Sequence, residues 1–135
     1  MAIYHLSVKT VSRSTGRSAT GAAAYRAGVE IVDERTGLVH DYTRRSGVVS
    51  ADLTVPTNAP AWASDRSKLW NAVEMAETRK NSTVAREFEL ALPDELTPEQ
   101  RRQLVATFAR ELVDRHGIAV DAAIHLPDRE GDNRN

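Results

Sequence analysis

Glu87 and Glu89 stand two residues apart in the alternating run Val84 to Leu92, so on an extended chain both carboxylates leave one face. A pair of that kind can orient a base or ligate a metal, or it can simply face water. His125 belongs to Ile118 to Leu126, where Asp121, Ala123 and His125 share a face and Ala122, Ile124 and Leu126 share the other. One imidazole serves as a metal ligand or as a satisfied polar residue, and nothing close in sequence completes a ligand spacing with it. Tyr25 follows a basic Ser/Thr/Gly loop and lies in an alanine-rich stretch. A phenol is a weak nucleophile at its free pKa of about 10 and needs help to attack; its plainer role is to pack a helix. Lys9, Arg13, Arg17, Arg26, Arg44 and Arg45 are candidates for contact with a phosphate backbone.

Composition narrows the setting for these residues. The 135 residues suit one domain, and the 41% that are apolar can fill one core. Aromatic residues make up only 5%, so Ala, Val, Leu and Ile must supply that core. With no cysteine, disulfides and thiol catalysis are excluded. No apolar run approaches the roughly 20 residues of a membrane helix, and nothing reads as a signal peptide, so a cytoplasmic location is expected. The net charge of −1 hides an asymmetry: Lys9, Arg13, Arg17 and Arg26 meet no acidic residue before Glu30. A basic N-terminal third suits a polyanion, whereas the acidic residues after Asp114 argue against indiscriminate coating of DNA.

The elements that must position these side chains can be read from period and punctuation. Ile3 to Lys9 alternates as a half-buried strand, and Thr10 to Gly16 reads as a loop. Ser18 to Ala27 favours a helix with Ser18 as its N-cap. Val29–Asp33 and Leu38–Tyr42 form a hairpin around Gly37, and 43–59 is irregular. A helix is expected from Pro60 or Ser64 to Thr78, then a strand over Val84–Leu92 with Phe88 and Leu90 facing the core. Thr97-Pro98-Glu99-Gln100 is a capping box; its helix runs to His116-Gly117 with Leu104, Val105, Phe108, Leu112 and Val113 as the buried stripe. Ile118–Leu126 is the last strand. The order predicts an α+β fold with a mainly antiparallel sheet and helices packed on one face.

Residues 1–28, MAIYHLSVKTVSRSTGRSATGAAAYRAG, resemble the opening of the MobA/MobL relaxases, the family that includes the TraA-type conjugative relaxases. The resemblance continues through HDYTRRSGV at 40–48, LWNAVEMAETRKNSTVAREFELALPDEL at 69–96 and VDAAIHLPDREGDN at 120–133. One such motif is weak; this many in order and in register is strong.

The resemblance implies a metal-dependent enzyme of the HUH class, which nicks single-stranded DNA at a transfer origin during plasmid mobilisation. It makes Tyr25 the nucleophile, leaving a 5′-phosphotyrosyl link, and His125 the first of three histidines that hold a divalent metal. It makes Glu87 a carboxylate that orients a metal-binding histidine. The remaining histidines belong to an N-P-H-x-H-type motif expected to begin near Asn135. Residues 1–135 are therefore expected to be the N-terminal part of one relaxase domain, inactive by itself, with an unpaired sheet edge open to a second copy. Accessory relaxosome proteins and the coupling protein are implied as partners of other segments. A rolling-circle replication initiator shares this chemistry but places its tyrosine after the histidines. A non-catalytic single-strand-binding accessory domain is the reading from another class.

Overall fold

A computed structural model describes residues 6–126; the expected strand start at Ile3–His5 and the tail Pro127–Asn135 lie outside the described residues. The chain runs β1 (Leu6–Ser12), α1 (Ala19–Ala27), β2 (Glu30–Val32), β3 (Val39–Asp41), β4 (Val48–Thr54), α2 (Arg66–Ala76), β5 (Thr83–Leu90), α3 (Pro98–His116) and β6 (Val120–His125). The fold is α+β, and all its strand pairs are antiparallel: β1 with β5, β2 with β3, and β4 with β6. The strands thus form three two-stranded ladders among the described residues, where one sheet was expected.

The helices begin where local chemistry starts them. Ser18 accepts the Gly21 amide at 3.1 Å, Asp65 accepts the Lys68 amide, and Thr97 and Gln100 close the capping box reciprocally. The second helix starts later than Pro60, because Ala61–Ser64 is a 3-10 turn and Asp65 is the cap. Gly28 ends α1 at φ +68°, in the left-handed region, and its amide bonds the Ala24 carbonyl. A Cβ there would meet Val48 Cγ2 at 3.1 Å, so glycine also permits β4 to approach the helix end.

Two strands depart from the sequence expectation. The first continues to Ser12, because Thr10, Val11 and Ser12 pair with Arg86, Ala85 and Thr83 across a register irregularity. β4 occupies a stretch expected to be irregular, with a further irregularity between Val48 and Ser50. A bulge shifts the alternation by one residue and hides the period of two.

The core is small. Ala23, Ala24 and Ile31 are buried together, with Val29 and Trp70 packed against them. α3 packs on β4 and β6, burying Ala109 and Val113 against the side of β6 that carries buried Ile124. Its Arg102 pairs with Asp52, which faces Ala122. On the other side of β6, Arg66 and Trp70 of α2 both bond Asp121. Both α2 and α3 are thus tied to this ladder by ion pairs. Phe88 and Phe108, expected in the core, are 51% and 37% exposed. Both line a cleft of about 790 Å³ whose walls include β5, β6 and residues of all three helices. No helix among the described residues is long and apolar enough to cross a membrane.

Candidate functional site

Tyr25 occupies the last turn of α1 and is 44% exposed, so its ring is held from one side and open on another. The Tyr42 ring meets it edge to face, with centroids 5.3 Å apart and planes at 89°. The Arg45 guanidinium carbon lies 4.1 Å above the Tyr25 ring centre, a cation–π contact. Arg45 Nη1 also donates to the Tyr25 carbonyl at 2.9 Å. The loop bearing Tyr42 and Arg45 is tied down at both ends. The Tyr42 amide bonds the Val29 carbonyl at 3.1 Å, and the Leu126 amide bonds the Gly47 carbonyl at 2.7 Å.

His125 ends β6 beside the same helix. Its Nε2 is 2.8 Å from the Arg26 carbonyl and 3.1 Å from Arg45 Nη1. A carbonyl only accepts and a guanidinium only donates, so Nε2 hydrogen-bonds one of these two neighbours at a time, and the tautomer of the ring decides which. Burial lowers the His125 pKa, and the Arg45 and Arg26 charges lower it further, against the opposing pull of the Arg26 carbonyl and Glu89. The shift favours the neutral ring, the form a metal ligand needs.

Glu87 reaches α1 from β5. It accepts from Arg26 Nε at 3.0 Å and Nη2 at 2.9 Å, both at Oε2. Arg17 Nη2 lies 2.6 Å from Oε1 as an ion pair without aligned hydrogen-bond geometry. Burial pushes the Glu87 carboxyl up, but the Arg17 and Arg26 guanidiniums outweigh it and hold the group below the usual carboxylate range. A carboxylate so held is a poor base; it serves as an anchor for two cations. Among the described residues its partners are arginines, where the sequence suggested a histidine. Lys9 stands opposite Glu87 across the β1–β5 ladder, and Glu89 lies on the same face.

The predicted basic residues divide. Arg44 is exposed, while Arg45 is partly buried and committed to Tyr25. Arg13, expected to meet DNA, points inward with a side chain 7% exposed. Its Nε and Nη2 bond Glu74 Oε1 at 3.1 and 2.6 Å, and its Nη1 donates to the Glu77 and Arg79 carbonyls. The fully buried Glu74 also accepts the Ala19 amide at 2.6 Å, at the start of α1. Glu74 gave no signal in the sequence, because a glutamate on an amphipathic helix reads as solvated.

No group of three His, Asp or Glu side chains converges among the described residues. His125 alone does not make a divalent-metal centre, because one imidazole cannot replace a set of converging ligands.

Comparisons with known proteins agree on one family. Residues 17–135 match the profile described as the MobA/MobL family. The mobilization protein MobL of Acidithiobacillus ferridurans is 58% identical over 127 residues, 94% of this chain and 33% of that protein. The 43 kDa relaxation protein of Salmonella typhimurium is 41% identical over 94% of this chain and 30% of its own length. The conjugal transfer protein TraA of Rhizobium radiobacter is 37% identical over 93% of this chain and 12% of its own length. The chain thus spans about a third or less of these relatives. A solved structure titled for the molecular basis of vancomycin resistance transfer in Staphylococcus aureus superposes with a TM-score of 0.88 at 36% identity. That likeness covers 96% of this chain and 66% of the solved one.

Proposed function

The chain belongs to the MobA/MobL family, and from that premise we propose that it forms part of a relaxase that nicks single-stranded DNA at a plasmid transfer origin through Tyr25. The observation that carries this reading is the setting of Tyr25. It is half exposed on the last turn of α1, with Arg45 over its ring and His125 on the neighbouring backbone carbonyl. The relatives are named for mobilisation, relaxation and conjugal transfer.

In this reading the Tyr25 phenol oxygen attacks phosphorus. A bond from that oxygen to phosphorus forms, and the bond from phosphorus to the 3′ oxygen breaks. The phenol gives up its proton and the departing 3′ oxygen gains one. The product is a 5′-phosphotyrosyl link and a free 3′-hydroxyl, and the reverse attack reseals the strand. Lys9, Arg17, Arg26 and Arg44 meet the DNA backbone, Glu87 holding Arg17 and Arg26 in place. His125 would contribute one ligand to a divalent ion, the others lying outside the described residues, and no step above depends on it.

The decisive variant is Tyr25→Phe in the full-length gene product. The covalent protein–DNA adduct should disappear, while affinity for single-stranded DNA stays within about twofold, since phosphate contacts supply it. An adduct that persists would relocate the nucleophile, with Tyr42 the next residue to replace.

A further inference from the structure

Arg44 and Arg45 are adjacent cations in one loop, and from sequence they are equivalent candidates for the DNA backbone. The structure separates them. Arg44 is exposed to solvent, whereas the Arg45 guanidinium makes three contacts at once. It covers the Tyr25 ring at 4.1 Å, donates to the Tyr25 carbonyl at 2.9 Å and touches His125 Nε2 at 3.1 Å. Those groups come from α1 and from the end of β6, two elements the chain joins only through a long excursion. The Tyr42 ring, three residues before Arg45, lies at right angles to the Tyr25 ring, and the Arg45 amide bonds the Tyr42 carbonyl at 3.0 Å.

We propose that Arg45 is a positioning residue for Tyr25, fixing the ring against His125, rather than a residue that tracks the DNA backbone. The inference rests on Tyr25 being the attacking residue. A phenol on the last turn of a nine-residue helix has two side-chain torsions to settle. A guanidinium over one face and a second ring set at right angles leave it one orientation. Arginine suits this work because its flat fork stacks and donates together; a lysine ammonium is a point charge on a flexible stem. Attack on phosphorus needs that fixed orientation, since small misplacements of a reacting atom lower the rate steeply.

The test separates binding from reaction. Adduct formation by the full-length gene product is followed under single turnover on a fluorescein-labelled single-stranded oligonucleotide copied from the transfer origin of its plasmid, at increasing protein concentration. Arg45→Ala should lower the saturated rate about 100-fold and leave Kd nearly unchanged, the size expected from misplacing a reacting group by about an ångström. Arg45→Lys, which keeps the charge and loses the fork, should remain at least about tenfold slow. Arg102→Ala, which removes a cation from α3, should match the parent in rate and Kd. A raised Kd with an unchanged saturated rate in Arg45→Ala would assign Arg45 to the DNA backbone and overturn the proposal. Full recovery of rate in Arg45→Lys would do the same, by showing that charge alone suffices. If Arg45→Ala does not fold, Arg45→Lys and Arg45→Gln, each able to donate to the Tyr25 carbonyl, decide by the same split. Tyr25→Phe runs in parallel. An adduct in that variant defeats the choice of nucleophile, whereas its loss alongside an unaffected Arg45→Ala defeats only the role of Arg45.

Discussion

The region around α1, the β2–β3 hairpin and α2 contrasts with the cleft between β5 and β6. In the first, buried polar groups find partners within the fold. Asp33, fully buried, accepts from the Thr20 hydroxyl at 2.6 Å and from the amides of Arg35 and Thr36. Asn71 bonds the Glu34 amide and the Val32 carbonyl, pinning α2 to the hairpin. Glu74 and Arg13 neutralise one another and fasten the end of β1 to α2. Along the cleft, in contrast, Phe88 and Phe108 stand open and β5 and β6 each have a single strand partner among the described residues. Tyr25 and its neighbours sit where these regions meet, with α1 from the rigid side and Glu87 and His125 from the cleft walls. Burial on one side fixes Tyr25 and its neighbours; openness on the other leaves them reachable.

Substitutions should divide by side. Glu74→Ala leaves the buried Arg13 charge unpaired and should cost the most, about 3–5 kcal/mol, enough to unfold much of a marginal domain. Urea unfolding reads this as a lower midpoint, and a wild-type midpoint would mean that the rigid side is not held by its ion pair. The next test compares two apolar residues. Ile31→Ala, at a side chain 2% exposed, should cost about 2–5 kcal/mol by leaving a cavity. Phe88→Ala, at 51% exposure, should cost about 1 kcal/mol or less despite the larger ring. Equal costs would erase the distinction between core and cleft.

The smallest effect is a pH dependence on the cleft side. Burial lowers the folded pKa of His125, so the unfolded chain binds more protons between that value and the ordinary 6.5. The stability His125 contributes is therefore fully present above 6.5 and lost as pH falls through the folded value. Glu87 repeats the pattern lower down: burial raises its pKa but the two arginines lower it more, so its contribution is present above 4.5 and fades below. Thermal melts from pH 7.5 downward should fall in two windows, and His125→Asn should flatten the upper one. An upper window that survives the substitution would assign it to another group.

Some features were written locally. The caps Ser18 and Thr97, the capping box and the terminators Gly28 and Gly117 each depend on residues within one helical turn. The alternation of β5 and β6 set the parity of Glu87 and His125 in the same way. The family resemblance in the S-A-T-G-A-A-A-Y segment singles out Tyr25. Other features had no local signature. β4 was hidden by its bulge, and Phe88 was assigned to a core that the strand pairing did not build over it.

Tertiary structure alone decided which charges are spent and which are available. Arg13 and Glu74 are 61 residues apart, Arg45 and His125 are 80 apart, and the His125 ring finds the Arg26 carbonyl across 99. In sequence, Arg13, Arg44 and Arg45 are one class of basic residue; in the fold, one is a buried brace, one is exposed and one holds the Tyr25 ring. The reason is range. Helix caps and strand parity follow from backbone geometry within a few residues, whereas the partner of a guanidinium depends on which distant element packs beside it and how much water that packing removes.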